Sequence, residues 1–426
     1  MNYKKFSQLS FRTLSVLFLI MAAGSWSLLE GATIFAASAQ TSPETRQGLF
    51  DHKNLTEAIH LSAKYLSRVC NQDGKFLYRV NLNPRVKPKP RYNFLRHAGS
   101  IYALADYEWN HPDTSTLNTL ERASGYLKKV AIGPIPARND LLAVWSRAEL
   151  TGSQKPLQAK LGGTGLSLIA LLSVEKRRPG TTPVDFLRSM GNFIIFMQKA
   201  DGSFYSMYIP EKGGKDDSWT SLYYPGEAAL GLLMLYEKDP DLQWLQAAAE
   251  AIAYLTRLRA VERQVEADHW ALLATAKLLP LYDRCQKPLT RNEILNHAIR
   301  ICESILTHRS HYSKYSPGHG CLTDDGRTTP TAIRLEGLLA ANRFLPVEHK
   351  TLRERIHVTA REGIAFLIRS QIPSGKYAGG IPRAIQPLPE NHPRFDRSFN
   401  QRATEVRIDY VQHALSAMLD YREQFF

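Results

Sequence analysis

A strict alternation between two kinds of helical segment constrains this chain more than any other feature. One kind carries apolar residues on one face and charges on the other: residues 55–69, 115–130, 184–200, 241–258, 291–306 and 350–371. The second kind is apolar almost all round and rich in glycine and alanine: residues 92–109, 162–174, 224–237, 267–282, 331–344 and 405–421. Apolar positions recur at helical spacing and almost no stretch alternates as a strand would, so the chain reads as nearly all α. A helix without a polar face must be buried on every side. Small residues such as Ala98, Gly99, Gly226, Ala228 and Gly337 let neighbouring backbones come close.

The order is amphipathic then apolar, six times. Six pairs of roughly 50–70 residues, each with an outer and an inner member, predict a closed double ring, an (α/α)6 toroid spanning residues 55–426. An open solenoid would need a polar capping helix at its end. Segment 405–421 is as apolar as the middle ones, which favours a ring whose sixth pair closes on the first.

Three links that follow amphipathic helices share a pattern: CNQDGKFLYR (70–79), QKADGSFYSMY (198–208) and SQIPSGKYAGG (370–380). Each has Gln or Asn, then Gly, then an aromatic residue, and Gly can supply the positive φ that ends a helix. This turn resembles the repeat of terpenoid-cyclase toroids. As an architecture the chain also resembles the helical toroids of glycoside hydrolases, polysaccharide lyases and glucuronyl C5-epimerases. The resemblance implies a carbohydrate-active enzyme working by hydrolysis, elimination or epimerisation. The alternatives are a non-catalytic polysaccharide-binding or scaffold protein and a terpenoid-cyclase-like lipid or isoprenoid protein. It carries no catalytic residue over, and the acidic strings KDDSW (215–219) and TDDGR (323–327) fall in loops ahead of helices.

In a double ring the N-termini of the inner helices meet at one mouth, where their dipoles make the potential positive. Polar residues cluster near those starts. The first inner segment contributes Asn93, Arg96 and His97, the second Thr164, the third Tyr223, Tyr224 and Glu227, and the fourth Asp268 and His269. The fifth adds Arg334 and Glu336, and the sixth Arg407, Asp409 and His413. Asp268 also fits an N-cap, and Glu227 in a first turn is favoured by the dipole alone. Buried cations such as Arg96 and Arg334 need partners. Asp409 and His413 are spaced i, i+4 and share a face.

For a sugar chain in that mouth, Trp219, Tyr223, Tyr224 and Trp270 offer stacking faces. Arg96, Arg334, Arg383 and Arg407 suit carboxylates or sulfates, with Asn93 and His269 as further contacts. Two chemistries follow. A carboxylate pair, Glu227 with Asp268 or Glu336 with Asp409, would serve glycoside hydrolysis. His97 or His413 with a Tyr would move the proton beside a uronate carboxyl while Arg neutralises the enolate. No metal and no cofactor is expected, because the ligand spacings are not distinctive.

The chain of 426 residues has a formal charge of +14. That balance favours an anionic polysaccharide or oligosaccharide as partner, and no Lys/Arg-rich helix or aromatic-basic platform marks a nucleic-acid binder. Residues 1–39 read as an export signal: Lys4, Lys5 and Arg12, then an apolar run, then Ala37-Ser38-Ala39. The alternative is an uncleaved N-terminal membrane anchor. Either places the protein outside the cytoplasm, periplasmic or secreted, with residues 40–54 as a polar linker. Four cysteines, Cys70, Cys285, Cys302 and Cys321, lack metal-site spacing and are expected to be buried or paired.

Overall fold

In the computed structural model, which describes residues 50–307 and 312–426, twelve long helices follow the predicted order. They are α1 (His52–Arg68), α2 (Phe94–Asn110), α3 (Thr114–Val130), α4 (Leu161–Arg177), α5 (Val184–Phe196) and α6 (Tyr224–Lys238). The second half holds α7 (Leu242–Ala260), α8 (His269–Leu278), α9 (Arg291–Thr307), α10 (Thr328–Phe344), α11 (Lys350–Ser370) and α12 (Ile408–Phe425). Odd-numbered helices are outer and even-numbered helices inner. Each inner helix packs against the inner helices before and after it, and α12 packs against α2, so the ring closes. The fold is an (α/α)6 toroid. The helical unit begins at Asp51, whose side chain caps α1 by accepting from the Asn54 N–H. The expected export signal lies outside the described residues. Among those described, no helix is long and apolar enough to cross a membrane.

Close approach between inner helices depends on absent side chains. A Cβ on Gly226 of α6 would lie 2.7 Å from backbone atoms of Trp270 and Ala271 on α8, well inside contact distance. The repeated turn has a specific task as well. Gly202 adopts φ +90°, and a Cβ there would sit 2.5 Å from the Glu250 carbonyl oxygen of α7. Gln198 Nε2 donates to the Ala247 carbonyl of the same helix at 2.9 Å. Gln371 does the equivalent on α1, donating to the Ala58 carbonyl at 2.9 Å. The turn after one outer helix therefore fastens it to the next outer helix.

Links on the two faces differ in length. Residues 111–113 join α2 to α3 and residues 239–241 join α6 to α7, whereas residues 69–93, 131–160, 197–223 and 371–407 precede inner helices. The long links all lie at the N-terminal ends of the inner helices and build the mouth.

They also carry short strands: β1 (Arg79–Asn81), β2 (Ile132–Ile135), β3 (Arg138–Ser146), β4 (Gln158–Lys160), β5 (Met207–Ile209), β6 (Gly214–Asp216) and β7 (Glu405–Arg407). Strands β2 to β6 form an antiparallel sheet in sequence order, and β1 pairs antiparallel with β7. Most are three residues long, too short for an alternating pattern to register. Cys70, Cys302 and Cys321 are buried and Cys285 is partly exposed.

Candidate active site

His269 is the first residue of α8 and its side chain is almost wholly buried. Its ring lies edge-on to Tyr223 with centroids 5.0 Å apart, and 5.8 Å from the ring of His413 on α12. Neither ring nitrogen has a hydrogen-bond partner. Burial, with the neighbouring His413, holds its pKa well below the usual value, so the ring is neutral. An unsatisfied buried imidazole is unfavourable by about 1–3 kcal/mol, and a bound ligand would relieve that.

Glu336 on α10 stands between the two histidines. Its Oε2 is 2.9 Å from His413 Nδ1 and 3.8 Å from His269 Nε2. Burial raises the Glu336 pKa and His413 pulls it back. One donor atom from each of the three residues lies within 4.8 Å of the others, a spacing a divalent ion can use.

A second group lies on the side of α2 and α12. Asp409 accepts from Arg96 Nε at 2.8 Å and from Arg407 Nη2 at 2.8 Å. Although burial alone would raise its pKa, the two guanidiniums hold the Asp409 carboxyl well below the usual range. Asp409 is thus a fixed anion, not the acid or base expected of it. Two arginines and one carboxylate leave one net positive charge. Arg407 is placed by strand β7 and covers the Tyr410 ring at 4.4 Å.

Glu227 on α6 is the third element. It is buried and its Oε2 has no partner. Burial and the charge of Asp268 push its pKa well above the usual value, partly offset by Arg96. Gly162 makes room for it, since a Cβ there would sit 2.0 Å from Glu227 Oε2. Asp268 is engaged elsewhere: one oxygen caps α8 through the Ala271 N–H at 3.1 Å and the other meets Arg259 Nη2 at 2.7 Å. Asp268 is thus committed to the cap and to Arg259 and acts on Glu227 through its charge, which suits it poorly to the role of free acid or base expected of it.

Several predicted site residues lie elsewhere. His97 does not face the mouth: its Nδ1 contacts the Tyr92 hydroxyl at 2.7 Å and its Nε2 the Ala123 carbonyl of α3 at 2.9 Å. Both nitrogens are satisfied in the seam between α2 and α3, and burial lowers its pKa to about 4. Asn93 caps α2 by accepting from the Leu95 N–H. Arg383 covers the Phe399 ring at 4.7 Å. Trp219 is half exposed, edge-on to Tyr224 at 5.7 Å, and Trp270 is buried beside His269 with centroids 5.0 Å apart.

Arg334 donates to the Leu322 carbonyl and has no carboxylate partner among the described residues. It interacts electrostatically with Tyr223, whose pKa rises to about 12 mainly through burial. Sequence reasoning missed Arg259, which lies in an amphipathic outer helix where an arginine reads as a surface residue. Its signal was the Asp268 cap nine positions further along the chain.

The ring and its mouth place the chain in the class of (α/α)6 toroids, and solved structures agree. A cellobiose 2-epimerase from Spirochaeta thermophila matches with a TM-score of 0.61 at 12% identity, over 90% of this chain and 99% of that one. A D-mannose isomerase matches at 0.60 and 12% identity, over 88% and 99%. An inactive variant of an α-1,6-mannanase from Salegentibacter sp., in complex with α-1,6-mannotriose, matches at 0.58 and 12% identity, over 87% and 99%. Identities this low establish the fold alone. Neither a protein-family model nor a curated protein matches the sequence.

Proposed function

We propose that this protein is a carbohydrate-active enzyme that moves a proton at the carbon next to a carbonyl or carboxyl group of an anionic sugar, an epimerase-type reaction. The observation that carries this reading is the pair of histidines flanking Glu336, with both nitrogens of His269 unpartnered. Two imidazoles brought together in this way can take a proton from one side of a carbon and return it from the other. Glu227, whose burial favours its protonated form, and Arg334 can stabilise charge on the enolate oxygen. The net positive charge of the Arg96, Asp409 and Arg407 group and the guanidinium of Arg334, which has no ion-paired carboxylate among the described residues, favour an anionic substrate. Epimerase and isomerase toroids among the similar structures support a sugar as ligand.

Hydrolysis fits less well. Asp268 and Asp409 are each locked in ion pairs. The mannanase variant is inactive with two consecutive aspartates replaced, while in this chain Asp217 pairs with Lys199 and Asp325 with Arg327. The substrate is read as a uronate-bearing or sulfated saccharide met outside the cytoplasm, since the N-terminal segment reads as an export signal.

The test is incubation in D2O with mannose, cellobiose and glucuronate-containing oligosaccharides, followed by NMR. Deuterium should appear at the carbon beside the carbonyl or carboxyl, preferentially in the acidic sugars. Chain shortening without deuterium incorporation would establish a hydrolase instead.

A further inference from the structure

We propose that His269, Glu336 and His413 form a binding site for one divalent transition ion of the Zn2+ class, and that the ion blocks the site. Two imidazole nitrogens and one carboxylate oxygen suit Zn2+ better than Mg2+ or Ca2+, which prefer all-oxygen ligands. The donor atoms lie within 4.8 Å of one another, with separations of 3.8 Å and 2.9 Å from Glu336 Oε2 to His269 Nε2 and His413 Nδ1. Zinc bonds of about 2.1 Å at tetrahedral angles hold donors about 3.4 Å apart. Small side-chain shifts bring the three donors to that distance.

A second, independent observation points the same way. His269 is 1% exposed and neither of its nitrogens has a partner, although Nε2 faces Glu336. The wider field is favourable too. Asp420 lies two turns along α12 from His413, on the same face, and acts electrostatically on Glu336. Asp106 of α2 lies near Asp420. Arg343 offsets part of this negative charge through its bond to Asp420. Three protein ligands leave a fourth zinc position for water.

Ion binding would use the same nitrogens that the proposed reaction needs for its proton, so ion and reaction exclude each other. The inhibitory half rests on the proposed function, whereas binding itself does not.

The test starts with the purified full chain stripped of metal, titrated calorimetrically with ZnCl2 and, in parallel, with CoCl2 followed by visible absorption. A one-to-one event with tetrahedral Co2+ bands is expected. It should disappear in His269→Ala and His413→Ala and weaken in the near-isosteric Glu336→Gln, with each variant's circular dichroism matching the parent. Absence of a one-to-one event in the parent, or its survival in all three variants, would overturn the site. Zn2+ should also abolish any deuterium incorporation into sugar, and stimulation would overturn the inhibitory role. If no sugar exchanges at all, the proposed function fails while the titration still decides the metal site.

Discussion

Arg96 and His97 are adjacent on α2 yet point into different surroundings, because successive helical positions turn by about 100°. Arg96 reaches Asp409 in the mouth, and His97 is sealed between α2 and α3. An inner helix is apolar on both its lumen side and its outer side, so the hydrophobic pattern cannot tell which way a given polar residue faces. That is why the sequence pointed to His97, while His269, expected only as a contact, is the open imidazole. The burial of His97 has a consequence for stability. Its pKa falls to about 4 in the fold against about 6.5 unfolded. Between those values the unfolded chain binds the proton and the folded chain does not, so stability is full above pH 6.5 and declines as pH falls towards 4. The shift corresponds to roughly 3 kcal/mol. Urea denaturation at pH 7.5 and pH 5 should show this loss, and His97→Gln should flatten it. An unchanged pH slope in that variant would show that other groups carry the acid sensitivity, with buried His297, lowered to about 3, first among them.

At the scale of elements, the helices were legible because a helix apolar all round admits one environment, and six of them admit few arrangements. The strands were not legible, since three-residue segments such as β7 are too short to show a period. They matter all the same, because β7 delivers Arg407 to Asp409. The start of α8 depends on a buried pair that crosses from α7. Arg259 Nη1 lies 3.3 Å from His297 Nε2, and Arg259 Nη2 holds Asp268 at the cap beside His269. Arginine can only donate, so His297 Nε2 accepts and the His297 proton sits on Nδ1, towards Thr256 Oγ1. Removing Arg259 strands a buried carboxylate. Arg259→Met is expected to lose about 3–5 kcal/mol of stability in chemical denaturation. Adding Asp268→Asn should restore part of it, because Asn also caps helices. If the double variant is no more stable than Arg259→Met alone, the pair is not the coupled unit described here.

For the whole molecule, closure of α12 onto α2 determines what can meet. Residues from α6, α8, α10 and α12, far apart in sequence, converge because their helices start at one face of a ring. The sequence therefore indicated the mouth as the place of chemistry, but not which side chains point into it. The central claim is that His269 and His413 act as two proton carriers on opposite sides of one carbon, and single variants test it most directly. Once an exchanging sugar and its epimer are in hand, each is incubated in D2O with His269→Gln and, separately, with His413→Gln. Loss of a general acid or base lowers turnover by about 10²–10⁴-fold. Both variants should lose epimerisation to that degree, yet each should still exchange deuterium into one epimer, a different epimer for each variant. Full epimerisation by either variant, or the same residual exchange in both, would contradict it.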